Sequence, residues 1–284
     1  MLREVLSQLH LEPGLTVMDG TVGGGGHSVE ILKRLGDTGR LVGFDRDPDM
    51  LGRAATRLFT SNVTLIHAPY STAYNELRAA GIPHVDRVLL DLGLSSDQLN
   101  DRERGFGFDA GGNLDMRFDR SQGQSVADFL QSGSRNELVR VIRDFGEEPQ
   151  AERIVDALQR QQRSQPIQSA ELLAEVVRRA ARSPHSRRDV VARVFQALRI
   201  SVNQELQHLE NMMFQVLPMV LTHDGFAVII TFHSLEDRIV KSAFKGQQGW
   251  QVLTKTPLRP APAEVRINPR SRSARLRVAR WTSP

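Results

Sequence analysis

Four short apolar runs, at residues 15–19, 41–45, 63–67 and 87–91, each close on a polar side chain (Asp19, Asp45, His67, Asp91) and are separated by amphipathic stretches. That alternation constrains the fold more than any other feature, because it is the pattern of a parallel sheet wrapped by helices. The intervening helices are expected at 27–35, 48–59 and 71–80, the second opened by Asp47 as N-cap with Pro48 at its first position. In such sheets ligands bind at the carboxyl ends of the strands, where the polar residues fall.

After Leu94 the rhythm breaks. Residues 105–120 (GFGFDAGGNLDMRFDR) show no period and predict a loop, and helical spacing without strands follows at 125–131, 134–145, 150–163 and 169–182. A long helix is expected from 190 to 221, its stripe of Val194, Leu198, Val202, Leu206, Leu209 and Met213 packing on a sheet face. Strand patterns resume at 226–232, 250–253 and 274–279, around a helix at 235–244. The reading is an α/β core formed by residues 1–99 and 191–284, interrupted by an all-helical domain at 100–190. The longest apolar run, 226–232, falls far short of the roughly 18 residues a membrane span needs. Nothing at the N-terminus reads as a secretory signal, and the absence of cysteine excludes disulfide scaffolds. A cytoplasmic protein without membrane partners is expected.

The sharpest chemical signal is Asp19-Gly20-Thr21-Val22-Gly23-Gly24-Gly25-Gly26-His27, between the first strand and first helix. Glycines there leave backbone N–H groups open to a ligand, and a helix N-terminus favours negative charge. A P-loop needs Lys after its last glycine, where His27 stands; a dinucleotide fingerprint needs a third glycine where Ser28 or Val29 stands. The spacing Asp19-x-x-x-Gly23-x-Gly25 instead resembles the first motif of S-adenosylmethionine-dependent methyltransferases. Asp45, ending the second strand, is placed to accept ribose hydroxyls, or else to serve the helix cap. Tyr70 either lies against an adenine ring or is a partly buried aromatic. Asp91 can touch cofactor, substrate or both, or cap the next turn. No metal-ligand spacing occurs among the eight histidines, so no metal ion is expected.

Charge points to a polyanionic partner. Of 37 basic residues four are lysine, and the seven arginines between 259 and 280 face one acid, Glu264. A second cluster comprises Arg178, Arg179, Arg182, Arg187, Arg188 and Arg193. Both fit nucleic acid, the alternative being solvated surface.

With these pieces in line, the chain closely resembles the bacterial small-subunit ribosomal RNA cytosine-N4 methyltransferases, the RsmH/MraW family. The resemblance rests on DGTVGGGGHS (19–28), FDRDP (44–48), LLDLGLSSDQL (89–99), ERGFGF and LDMRFD (103–108, 114–119), FGEE (145–148), ELLAEVV (171–177), VFQALRISVNQEL (194–206), FHSLEDRIVK (232–241) and NPRSRSARLR (268–277). It implies a Rossmann-like methyltransferase core with an inserted helical domain, acting with S-adenosylmethionine on the exocyclic N4 of a cytidine near the ribosomal P site. The substrate would be ribosomal RNA in the assembled 30S subunit, and some members are dimers. Cofactor contacts are implied at Gly25, Gly26, His27, Asp45, Tyr70, Asp91 and Gln98. Two positions depart from the family: Tyr70 stands where phenylalanine is common, and Asp97 where the SS-P-QL turn has proline. Members also carry a His-x-Pro-Val segment ahead of the equivalent of Met1, which points to a late start codon or a truncation.

Asp91 is the expected proton acceptor, with the stretch from Phe232 to Arg238 next in line. Arg270, Arg272, Arg275 and Arg277, the helical insertion and the 105–120 loop are the expected RNA surfaces, although 274–279 also reads as an edge strand with its arginines in solvent. Competing readings are a methyltransferase acting on another substrate, a non-catalytic ribosome-assembly factor and, least favoured, a nicotinamide dehydrogenase.

Overall fold

A computed structural model describes residues 1–108, 112–181 and 187–283, excepting the side chains of 187 and 188. The chain divides into two compact units, Met1–Gly93 with Leu206–Pro284, and Leu94–Glu205. The first half of unit one runs α1 (Leu2–Gln8), β1 (Thr16–Asp19), α2 (Gly26–Leu35), β2 (Arg40–Asp45), α3 (Pro48–Arg57), β3 (Val63–His67), a 3-10 turn at Tyr70–Thr72, α4 (Ala73–Ala79) and β4 (Val85–Asp91). Unit two carries α5 (Ser96–Asn100), α6 (Val126–Ser132), α7 (Arg135–Gly146), α8 (Ala151–Ser164), α9 (Ala170–Ala180) and α10 (Arg187–Asn203). The chain then passes through α11 (Glu205–Asn211), a π turn at Met212–Val216 and α12 (Leu217–Val220) to β5 (Leu221–Thr231), α13 (Ser234–Gly246), β6 (Trp250–Val252), α14 (Pro262–Ile267), a 3-10 turn at Pro269–Ser273 and β7 (Arg275–Trp281). No helix among the described residues is long and apolar enough to cross a membrane.

The seven strands form one sheet in the order β3-β2-β1-β4-β5-β7-β6. β1 to β5 are parallel, and β7 runs antiparallel between β5 and β6. Strand order reverses between β1 and β4, so the crevice for a ligand opens where Asp19 and Asp91 end their strands. Alternation along each strand feeds two cores. Val17, Leu41, Leu89, Val228 and Ile230 pack with Ile31, Leu35 and Ala54 of α2 and α3 on one face. Met18, Val42, Leu90, Ala227 and Ile229 pack with Leu77 of α4, Leu209 to Val220 and Val240 of α13 on the other.

The helix expected over 190–221 is two structures. Gln204 adopts a left-handed φ of 51°, which breaks the hydrogen-bond ladder. Val194 and Leu198 then join the core of the helical unit, and Leu209 and Met213 the sheet. Arg199 and Glu205 flank the break in a bidentate ion pair at 2.8 and 3.0 Å. The boundaries of the helical unit, 94 and 205, lie outside the 100–190 read from composition because Leu94, Leu99 and the apolar face of α10 contribute to its core. β5 begins five residues before the expected 226, through an irregularity opposite Asp86 at which Asp224 takes a φ of 67°.

Residues 105–120 lack regular helix or strand among those described, yet are tied down. Buried Arg104 donates to the carbonyls of Arg117 and Phe118 at 2.9 Å, and buried Asn203 holds Met116 O and Phe118 N. Phe106, Leu114 and Met116 are core, so part of this segment is internal scaffold. The expected C-terminal basic surface also changes. β7 is not an edge strand, and Arg277, buried beside α13, grips Asp237 through Nε–Oδ1 at 2.7 Å and NH2–Oδ2 at 3.0 Å, while Arg275 adds a third bond to the same carboxylate. Arg270 and Arg272 remain exposed. Of the mid-chain cluster, Arg182 and the side chains of Arg187 and Arg188 lie outside the described residues.

Candidate active site

The glycine loop is folded by its own flanking carboxylates. Asp19, buried at the end of β1, accepts from Ser28 Oγ at 2.6 Å and Thr21 N at 3.1 Å, closing the loop like a staple. Burial raises the Asp19 carboxyl above the usual range, against the pull of the Ser28 bond. Asp45, ending β2, accepts from Gly23 N at 2.7 Å through Oδ2 and from Asp47 N at 2.9 Å through Oδ1. Arg57 donates to Gly24 O at 2.7 Å from the outer side. Asp47, not Asp45, caps α3, accepting from the N–H groups of Asp49 and Met50.

The glycines divide by task. Gly23 and Gly25 adopt φ values of 52° and 82°, a region costly for side chains carrying a Cβ. Gly20 is required by packing, since a Cβ there would stand 2.4 Å from Leu90 Cδ2 and 3.0 Å from Tyr70 Cβ. At Gly24 and Gly26 a Cβ would meet nothing within 4 Å. The loop thus turns at Gly23 and Gly25 and is open at Gly24 and Gly26.

Beside it, Asp91 ends β4, and its N–H donates to Thr21 Oγ1 at 2.7 Å. Its Oδ1 is sealed from solvent without a hydrogen-bond partner among the described residues, while Oδ2 lies 3.4 Å from His27 Nδ1. Burial, reinforced by the nearby charge of Glu236, pushes the Asp91 carboxyl up to about 7. Burial also lowers the His27 imidazole below its ordinary value, and pushes Asp45 up to about 6 despite its two backbone donors.

Tyr70 is buried on the 3-10 turn after β3, its Cβ against the backbone of Gly20. Two residues of α11 hold that turn: His208 Nδ1 meets Ser71 Oγ at 2.6 Å, and Asn211 Nδ2 donates to Ser71 O at 2.9 Å. Neither was legible as a site neighbour, because they are joined to Tyr70 only by the tertiary fold. Burial and the charge of Arg46 lower His208 to about 4. After β5, His233 caps α13 and buried Glu236 accepts from Phe232 N at 2.8 Å and His233 N at 3.3 Å. Gln98 belongs to the helical unit, where its Oε1 accepts from Ser95 N at 2.9 Å in the capping box of α5. Of the seven residues singled out in the sequence, six therefore lie in the sheet unit, and Gln98 does not.

A family model described as the MraW methylase family matches residues 1–282. The chain belongs to the MraW methylase family. Its relatives include the ribosomal RNA small subunit methyltransferase H of Aromatoleum aromaticum, 42% identical with 99% of this chain and 96% of that one covered. The protein of the same name from Methylibium petroleiphilum is 41% identical over 99% and 94%, and that from Clostridioides difficile 36% identical over 98% and 96%.

The cofactor of this methylase is S-adenosylmethionine, and the observed site suits it. A zwitterionic, sugar-bearing ligand needs backbone approach without side-chain obstruction, which Gly24 and Gly26 leave open, and acidic acceptors at the strand ends, which Asp45 and Asp91 supply. The orphaned Asp91 Oδ1 is the most direct sign of a missing donor, since buried polar atoms are ordinarily paired.

Proposed function

We propose that this MraW-family protein transfers a methyl group from S-adenosylmethionine to the exocyclic N4 of a cytidine in small-subunit ribosomal RNA, near the P site and in the assembled 30S particle. The work is cytoplasmic, and a homodimer is the expected form. The substrate class follows the names of relatives spanning nearly the whole chain. The observation that carries the chemistry is the half-buried carboxylate of Asp91, with its sealed oxygen unpartnered among the described residues, beside an open glycine loop at the point where strand order reverses.

Cytosine N4 is a weak nucleophile because its lone pair is delocalised into the ring. When bound, the cofactor supplies an electrophilic sulfonium methyl. The residues of this chain must then align the amine and take its proton. Asp45 would accept from ribose hydroxyls through lone pairs not used by Gly23 and Asp47, Tyr70 would hold the adenine, and the N–H groups near Gly25, Gly26 and His27 would receive the carboxylate. Alignment contributes up to about 7–11 kcal/mol by the effective-molarity argument. Asp91 accepts a hydrogen bond from N4 and takes its proton, and a carboxyl near 7 suits that task at neutral pH. Arg270 and Arg272, exposed on the 3-10 turn before β7, meet RNA phosphates.

Mass mapping of methyl groups on small-subunit ribosomal RNA from cells with and without this protein tests the reading. Loss of one N4-methyl group in the deletion, restored by wild type and not by Asp91→Ala, is the expected result. An unchanged methyl map would overturn it, and cofactor binding without any turnover on subunits would favour a non-catalytic assembly factor.

A further inference from the structure

A groove in the helical unit, away from the glycine loop in sequence, has no role in the chemistry above. It lies between α8 and α9, encloses about 320 Å³, and is lined by Arg153, Ala157, Arg160, Gln161 and Ser164 on one side and by Val176, Arg179 and Ala180 on the other. The α8 residues recur at helical spacing and form one face. Ala157, Val176 and Ala180 make an apolar floor, and the three exposed arginines rise around it.

The charges are unevenly matched. Arg179 is paired with Glu175 one turn before it. Asp156, one turn before Arg160 on α8, is taken by Arg135 at 2.8 Å. Arg153 forms no ion pair or hydrogen bond with a described residue, and no acid lines the groove among the described residues. Like-charged guanidinium groups around one cleft repel each other unless an anion joins them. Along α8, residues 153 and 160 are about 10.5 Å apart at a rise of about 1.5 Å per residue, so the two guanidinium groups can meet separate phosphates. Guanidinium forks bind phosphate bidentately, and the apolar floor can take the face of a sugar.

We infer that this groove is a second RNA-binding site, in which Arg153, Arg160 and Arg179 engage the ribose-phosphate backbone of the substrate. The inference rests on the ribosomal RNA reading above and places an anchoring surface on the helical unit. It fixes position and carries no base specificity, since it offers phosphate donors and an apolar floor.

The test compares R153A/R160A with wild type, and with R140A/R163A as a charge-matched control at two exposed arginines of the same unit outside the groove. Binding of the full-length proteins to deproteinised small-subunit ribosomal RNA is measured across a salt series, with thermal midpoints and cofactor titrations in parallel. The groove variant should bind at least about tenfold more weakly, and its slope of log K against log[salt] should be shallower by about 1.4–1.8, the loss of two phosphate contacts. The control should keep the wild-type slope, and all three proteins the same thermal midpoint and cofactor affinity. On subunits the groove variant should show a raised KM with kcat retained. Equal slopes for groove variant and wild type, or equal losses in groove and control variants, would overturn the inference. So would a loss seen with intact subunits and absent with deproteinised RNA, which would mark an acidic ribosomal protein as the occupant. A wild-type protein that binds RNA through the groove yet methylates nothing would refute the methyl-transfer reading and leave the groove standing.

Discussion

His27 Nδ1 stands 3.4 Å from Asp91 Oδ2, and the same burial drives the two groups in opposite directions, the imidazole down and the carboxyl up to about 7. Both shifts favour the uncharged forms. At neutral pH His27 is therefore neutral, while Asp91 is divided between acid and carboxylate.

If the Asp91 carboxylate takes the amine proton, kcat/KM should rise about tenfold per pH unit below about 7 and level off above it. Asp91→Asn should lower turnover by roughly 10²–10⁴-fold and abolish the limb. A flat wild-type profile between pH 5.5 and 8 in about half-unit steps would remove Asp91 from the proton transfer.

Gly26→Ala separates a ligand cradle from a merely flexible turn. The added methyl meets nothing within 4 Å and sits at the first residue of α2, so thermal stability should stay within about 1 kcal/mol of wild type. Cofactor affinity, measured calorimetrically, should fall at least about tenfold. A variant that binds normally would show that the open space at Gly26 is not the ligand's path.

His208 links stability to acidity. Its folded-state value of about 4 is below the ordinary 6.5, so its contribution is complete above pH 6.5 and is lost as pH falls toward 4. Between those limits the loss should be on the order of 1 kcal/mol, discounted because the ring is only partly buried. Asp45 and Asp91, raised, carry the opposite dependence, favouring the fold below about 3.8 and losing that contribution as pH rises toward 6 and 7. The difference between wild type and His208→Asn in denaturant titrations isolates the histidine. Parallel stability curves for the two proteins from pH 4 to 7 would exclude it.

The arginines of the C-terminal cluster should separate cleanly. Arg277→Ala leaves Asp237 with a buried, partly uncompensated charge and should cost about 3 kcal/mol, lowering the melting temperature. R270A/R272A should leave melting unchanged and flatten the salt dependence of RNA binding. Equal melting for Arg277→Ala and wild type would mean that the Asp237 pair contributes little.

Much of this molecule was legible because its signals are local. The four first strands and their helices follow from alternating two-residue and 3.6-residue periods, the cap at Asp47 from its neighbour Pro48, and the ligand loop from consecutive glycines. The misreadings concern long-range choices. Nothing in the stripe from Val194 to Met213 marks Gln204 as left-handed, since glutamine is not the residue such a break usually selects. The place of β7 between β5 and β6 is a pairing decision, and the partner of Arg277 lies 40 residues earlier in the chain. Gln98 fits a family motif, yet its amide oxygen serves a local cap and it falls in the other unit.

The discontinuity of the sheet unit has a consequence for biosynthesis. β4 must wait for β5 until residues 92–220 have been made, a delay on the order of ten seconds at about 5–20 residues per second. Throughout that interval the nascent β1–β4 platform exposes an unpaired rim, while the helical unit, contiguous in the chain, can already fold. A chaperone or a pause in translation near β5 would therefore act on this border, and the sheet is complete only when the last strands have been made.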